Sequence, residues 1–387
     1  MSWPMVSIES VAKVITGKTP PKADSNCFGG NIPFITPSEL TDSDYLLKPD
    51  TTLTEKGLAT TKLIPKNSIL VCCIGSLGKM AMADLPVATN QQINSVIFDE
   101  DKIYYRFGFY ALKLLKNELK NIAPSTTVAI VNKSRFSELK IPRPPLEEQR
   151  RIADILDKAA DIRQKREQAV KLADDFLRAT FLEMFGDPVA NPNRWDVASL
   201  LEYGSFKNGM NFTKGESGSV LKCLGVGNFK SLATITCMDN IDEIELNTLP
   251  SDDYLLKDGD IVFVRSNGNK ALVGRCLTIY PNKEKVTFSG FCIRYRIEKS
   301  AITAEYLNFL FRTPSMKQQM LSGGQGANIQ NISQGTLSAL RIPVPPLEKQ
   351  QTFSKIVSFH SELMKKINID IVETNDMFGS ISQTYFN

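Results

Sequence analysis

The chain has 387 residues, with 46 Lys+Arg against 42 Asp+Glu for a formal net charge of +4. That length fits two to three domains, and so slight a charge excludes the bulk, charge-driven binding of a histone-like protein. Hydrophobic residues at 42% and charged residues at 23% exclude a mostly disordered chain. The apolar runs, such as 261–264 (IVFV), are strand-sized and far below the ~18 residues of a membrane span. No basic and apolar leader is visible at the start, so a soluble, cytoplasmic protein is expected.

In chain order, the first 145 residues hold short β-branched runs such as 68–73, separated by Gly, Pro, Asn and Ser, and a helical stretch over 104–119. Pro144 and Pro145 then pre-set the first turn of a long helix, with Glu147 and Glu148 near its positive end. Ile152, Ile155, Ala159, Ile162, Ala169, Ala173 and Phe176 recur at three-four spacing and form its expected packing seam. The helix is expected to stop at Phe185-Gly186-Asp187-Pro188, with glycine just past its end and proline beyond. The pattern then restarts. Residues 193–346 carry the strand-like runs 260–265 and 292–297 and a helical stretch over 304–321, and Pro345-Pro346 opens a second long helix with a seam of Phe353, Ile356, His360, Leu363 and Ile367. Both long helices span 40 residues, 146–185 and 347–386, about 60 Å each at ~1.5 Å per residue. The predicted class is α+β: two globular domains in tandem, each followed by a long helix, the helices side by side and antiparallel.

The restart is an internal repeat. Segments 139–149 (LKIPRPPLEEQ) and 340–350 (LRIPVPPLEKQ) agree at eight of eleven positions at an offset of 201. Near the start of each half the offset is 192, pairing Trp3 with Trp195, Ser7 with Ser199, Ile8 with Leu200, Gly17 with Gly209 and 67–71 with 259–263. Gly78-Lys79 matches Gly274-Arg275 at 196. Insertions between fixed anchors mark the loops in which the two copies differ.

Signatures of catalysis are missing. The Pro-Pro pairs stand in Arg143-Pro-Pro-Leu146 and Val344-Pro-Pro-Leu347, not in the D-P-P-Y of an amino-methyltransferase, and Lys230 occupies the third glycine position after Gly225-Val226-Gly227. Gly75 to Lys79 lacks phosphate-loop spacing, and Pro49-Asp50 with Glu100-Asp101-Lys102 reads as solvated loop. Seven cysteines (Cys27, Cys72, Cys73, Cys223, Cys237, Cys276, Cys292) with no CxxC pair suit reduced, mostly buried thiols rather than disulfides or zinc. The single histidine, His360, is expected to be half-buried and structural. No catalytic residue, metal or cofactor is therefore expected.

Charge distribution is more informative. Residues 102–143 hold nine Lys/Arg against two acids, and 257–299 nine against four. Such stretches release counterions from phosphates, while amides and hydroxyls match base edges. The candidate DNA-binding residues are Lys18, Thr19, Lys22, Ser76, Lys79, Asn90, Gln91, Gln92, Ser125, Thr126, Thr127 and Lys133 in the first half. In the second they are Lys207, Asn211, Lys214, Ser266, Asn267, Asn269, Lys270, Arg275, Gln325, Asn328, Gln330 and Asn331.

Over its whole length the chain resembles the specificity (S) subunit of a type I restriction-modification system. The resemblance is carried by the start 3–9 (WPMVSIE), by Gly17-Lys18-Thr19-Pro20, and by the repeated Pro-Pro-Leu-Glu-x-Gln motif. It implies a subunit without catalysis whose target-recognition domains, 1–145 and 193–346, each read one half of a split double-stranded DNA site. It further implies that the conserved spacer helices, 146–186 and 347–387, pair as a coiled-coil ruler and dock two methylation (M) subunits and, in the full complex, restriction (R) subunits. Pro144, Pro145, Leu146, Glu147 and Gln149, with Pro345, Pro346, Leu347, Glu348 and Gln350, are then the partner-binding candidates. The second copy departs from the pattern in 204–210 (GSFKNGM) and in Lys349 where the first has Glu148. The alternatives are a helical adaptor that bridges proteins without binding DNA, and a nuclease or methyltransferase whose motifs have diverged.

Overall fold

The computed structural model describes residues 3–41, 46–123, 128–213, 215–229, 233–322 and 331–386, with 368–386 described in backbone alone. The chain forms two compact units, Met1–Arg166 with Ile369–Asn387, and Glu167–Asn368.

In the first unit the strands are β1 (Met5–Ser7), β2 (Ala12–Thr16), β3 (Phe28–Ile35), β4 (Thr52–Leu53), β5 (Ile69–Cys72), β6 (Met80–Met82), β7 (Ala88–Thr89), β8 (Ile93–Phe98) and β9 (Lys140–Pro142). They build a sheet of order β2-β8-β5-β6, a smaller sheet β4-β3-β7 and the pair β1-β9. All four residues of β5 are buried, as an unbroken apolar run covered on both faces should be. The core includes Ile8, Val11, Phe107, Phe109, Phe136 and, from the start of the long helix, Ile152 and Leu156.

The second unit repeats the plan with β10 (Val197–Ser199), β11 (Gly204–Asn208), β12 (Ser219–Leu224), β13 (Thr234–Ile235), β14 (Glu243–Leu246), β15 (Asp260–Val264), β16 (Cys276–Ile279), β17 (Val286–Phe288), β18 (Cys292–Ile297) and β19 (Arg341–Pro343). Its sheets run β11-β18-β15-β16-β13, β14-β12-β17 and β10-β19. Among the described residues, β13 alone lacks a counterpart in the first unit. Phe181, Phe263, Tyr295, Tyr306 and Phe353 are fully buried in its core.

Each single helix expected over 104–119 and 304–321 is two helices, Tyr105–Leu114 with Lys116–Ile122, and Ala304–Arg312 with Pro314–Ser322. In the second pair the cause is local: Thr313 precedes Pro314 and is extended, at φ −65 and ψ 144, because the proline ring disfavours helical backbone at the residue before it.

The long helices run Leu146–Phe185 and Leu347–Phe386. The first ends on Gly186, at φ +77, whose N–H closes on Leu182 O at 2.9 Å. At their starts the repeated glutamines are buried and bonded on every side. Gln149 Oε1 accepts from Tyr104 N (2.8 Å), and its Nε2 donates to Lys102 O (2.9 Å) and Pro144 O (2.8 Å). Gln350 repeats this with Thr303 N (2.9 Å), Ala301 O (3.3 Å) and Pro345 O (2.8 Å).

Within the second unit, segments of both long helices pack together. Phe353 meets Phe181 at 5.5 Å and Phe185 at 5.6 Å between ring centroids, and His360 Nε2 lies 3.7 Å from Asp174 Oδ1. Positions rise along the first helix as they fall along the second, so the segments are antiparallel. The seam differs from its expected course. Leu177, Phe181 and Phe185 are buried, while Phe176 is 60% exposed. A step of one residue turns a helix ~100°, enough to carry Phe176 out of the seam.

Candidate nucleic-acid interface

In the first unit the end of β2 and the β7–β8 turn meet. Gly17 N donates to Ile93 O (3.1 Å) and Lys18 N to Thr89 O (2.9 Å). A Cβ on Gly17 would stand 2.2 Å from Thr89 O, so only glycine allows this approach. The contact brings Lys18, Thr19 and Lys22, some seventy residues away in sequence, up to Asn90, Gln91 and Gln92. Thr19 Oγ1 donates to Gln91 Oε1 at 2.6 Å. Asn90 Oδ1 accepts from Gln92 N and Asn90 Nδ2 donates to Gln92 Oε1, each at 3.0 Å. Thr19, Lys22, Asn90, Gln91 and Gln92 line one open groove of about 800 Å³, which Asp50 and Phe34 also enter. Lys18, Lys22 and Gln91 are exposed. The groove therefore presents amides and ammonium groups together, the pairing that base-edge and phosphate contacts require.

The second unit repeats the main bonds of this scaffold. Gly209 N donates to Cys292 O (3.0 Å) and Met210 N to Phe288 O (3.1 Å), and a Cβ on Gly209 would lie 2.0 Å from Ser289 O. Arg265 N donates to Phe291 O (2.8 Å) as Cys73 N does to Gln92 O (2.8 Å). The antiparallel bridge Ser266–Asn331 repeats Ile74–Ile130. Ser289 Oγ accepts from Phe291 N at 3.3 Å where Asn90 Oδ1 accepts from Gln92 N. Asn90-Gln91-Gln92 thus corresponds to Ser289-Gly290-Phe291, a match invisible in sequence because no residue is shared. Asn211 stands beside Gly290 of this turn, Ser266 follows the Arg265 that bonds it, and Asn331 pairs with Ser266. Asn267 and Asn269 use their side-chain oxygens on Asn269 N (2.7 Å) and Ala271 N (3.0 Å), shaping the loop that carries the exposed Lys270.

Several candidate cations are engaged inside the chain. Lys79 Nζ donates to Pro37 O at 2.9 Å, and the matching Arg275 donates to Ala271 O and Phe229 O, both at 3.3 Å. Lys207 is ion-paired with Asp253, holding that carboxyl below its ordinary range, and lies 4.1 Å from the Tyr254 ring centroid. Arg296 forks onto buried Asp260 at 2.6 and 2.9 Å. Arg294 is buried, which pulls its guanidinium below its usual value. The basic excess over 257–299 is therefore partly structural. Ser76 and Lys133 are exposed; Ser125, Thr126, Thr127, Lys214, Gln325, Asn328 and Gln330 lie outside the described residues.

Of the candidate partner-binding residues, Pro144, Gln149, Pro345 and Gln350 are buried and bind the motif to its own domain, Leu146 and Leu347 are half-buried, and Pro145, Glu147, Pro346 and Glu348 are exposed. Further along the paired helices several apolar side chains are exposed, among them Phe176 and Leu363, which the spacing had put in the seams. Leu172, Phe176, Phe359 and Leu363 are 69%, 60%, 70% and 42% exposed. Among the described residues, no cluster of His, Cys, Asp or Glu could hold a metal, and no helix is long and apolar enough to cross a membrane. Burial pushes the thiols of Cys73, Cys223, Cys276 and Cys292 up to about 12.

One scaffold built twice, with different side chains on the same loops and a long helix after each copy, defines a tandem recognition protein. The family model for the type I restriction modification DNA specificity domain matches residues 2–172 and 223–373, and the chain belongs to that family. Relatives include the MjaIX specificity subunit of Methanocaldococcus jannaschii, 24% identical across 98% of this chain and 93% of the relative. The EcoKI specificity subunit of Escherichia coli K12 is 22% identical across 98% and 87%. The fold is shared with the S subunit of the M. genitalium type I system, at TM-score 0.60 and 18% identity over 100% of this chain and 96% of that one. It is shared also with a chain from a structural study of complex assembly and conformational transition of the type I R-M system, at TM-score 0.58 and 17% identity over 99% and 97%. As a specificity subunit the chain serves DNA recognition and leaves catalysis to other subunits.

Proposed function

We propose that this chain reads a split double-stranded DNA site, one half through the loops of residues 1–145 and the other through those of 193–346. Helices 146–186 and 347–387 set the distance between halves and dock M subunits and, in the full cytoplasmic complex, R subunits. The observation that carries this reading is the equivalence of the Asn90–Gln92 and Ser289–Phe291 turns. Matching backbone bonds under unlike side chains are what a duplicated reader of two different half-sites needs. Exposed Lys18, Lys22 and Lys270 suit phosphates, and the neighbouring amides suit base edges. Leu172, Phe176, Phe359 and Leu363, large apolar side chains left exposed on the two long helices, support the docking role, since a partner covering them would remove apolar surface from water.

Methylome sequencing of a host with and without the gene tests the proposal. A methylated motif of two unlike halves flanking an unspecified gap should vanish on deletion. No change in the methylome, together with no salt-dependent DNA binding by the purified complex, would favour a protein-bridging adaptor.

A further inference from the structure

Resting on the proposal that these turns read DNA, we propose that Phe291 determines specificity in the second domain by covering the C5-methyl group of a thymine in its half-site. Phe291 occupies the place of Gln92, held by the same three bonds: Arg265 N to its carbonyl, its own N–H to Ser289 Oγ, and the neighbouring Gly209 N to Cys292 O. Gly290 beside it is held as well, its N–H donating to Met210 O at 2.7 Å. On this turn the ring is 60% exposed, although Phe288, three residues back, is fully buried. Phe212, next to Asn211, is also 39% exposed. The second reader thus offers aromatic rings where the first offers an amide.

An exposed ring gains by covering another apolar surface. On the base edges of the major groove the apolar group is the thymine methyl, whereas amides such as Gln92 match adenine. The two turns would therefore draw different bases from one backbone.

The test uses the complete complex with its M subunits and duplexes bearing the mapped site, each thymine of the second domain's half replaced in turn by uracil, which removes the methyl alone. At one position the wild-type complex should lose about fourfold in affinity, the worth of one buried CH2-sized group. Phe291→Ala should lose a similar factor on thymine DNA and no longer distinguish uracil there, while the other half-site and the melting temperature stay unchanged. Indifference of the wild-type complex to every substitution, or retained discrimination in Phe291→Ala, would overturn the inference. So would an unstacking signal from 2-aminopurine at that step, which would make the ring a wedge. Failure of the wild-type complex to bind any split site would instead remove the DNA reading itself.

Discussion

Phe181 and Phe353, one from each long helix, meet edge to face at 5.5 Å between centroids with both rings fully buried. Their contact fixes the antiparallel register of the helix segments within the second unit. Phe181→Ala should cost about 3–5 kcal/mol of stability, the lost burial plus a cavity, read by chemical unfolding. Phe176→Ala, at an exposed position, should stay within about 0.5 kcal/mol yet weaken assembly with M subunits, read by analytical ultracentrifugation. Destabilisation by Phe176→Ala equal to that of Phe181→Ala would place the seam where periodicity first put it.

Gln149→Leu should leave Tyr104 N and two carbonyls without partners in a buried site, at about 1–3 kcal/mol for each group left unsatisfied. Gln350→Leu should do the same in the second copy. The helix start would then loosen from its domain. Amide hydrogen exchange should report faster exchange at Tyr104 or Thr303 respectively, with the other copy unaffected; unchanged protection at both would show that these bonds do not secure the motif.

If the paired helices are the ruler, four residues inserted near Gln164 should lengthen the first helix by about 6 Å, nearly two base-pair steps at ~3.4 Å. The recognised halves should move apart. Four residues turn the seam by only ~40°, so packing should survive, whereas two would turn it by ~200° and should disrupt the pair. Methylation-site mapping reads both variants. An unchanged gap in an active four-residue variant would remove the ruler role.

What could be read from sequence was whatever the chain encodes locally or repeats. Pro144-Pro145 and Gly186 act within a turn or two of the helix ends they set, so both long helices were legible. The role of Gln149 was not, because its partners Lys102 and Tyr104 lie 47 and 45 residues away. Counting charges overstated the second basic face, since Arg294 and Arg296 are spent on Asp253 and Asp260. The match of Gln92 to Phe291 is a statement about backbone hydrogen bonds, which no residue identity reveals.

Exchange of the second recognition domain tests domain-by-domain reading most directly. Residues 193–346 would be replaced by the corresponding segment of a foreign specificity subunit, joined at the Pro345-Pro346 motif, and the complex expressed with its M subunits. Methylome mapping should find one half of the recognition motif changed, with the other half and the gap as before. A chimera that methylates actively but alters both halves together, or neither, would contradict independent reading by two domains.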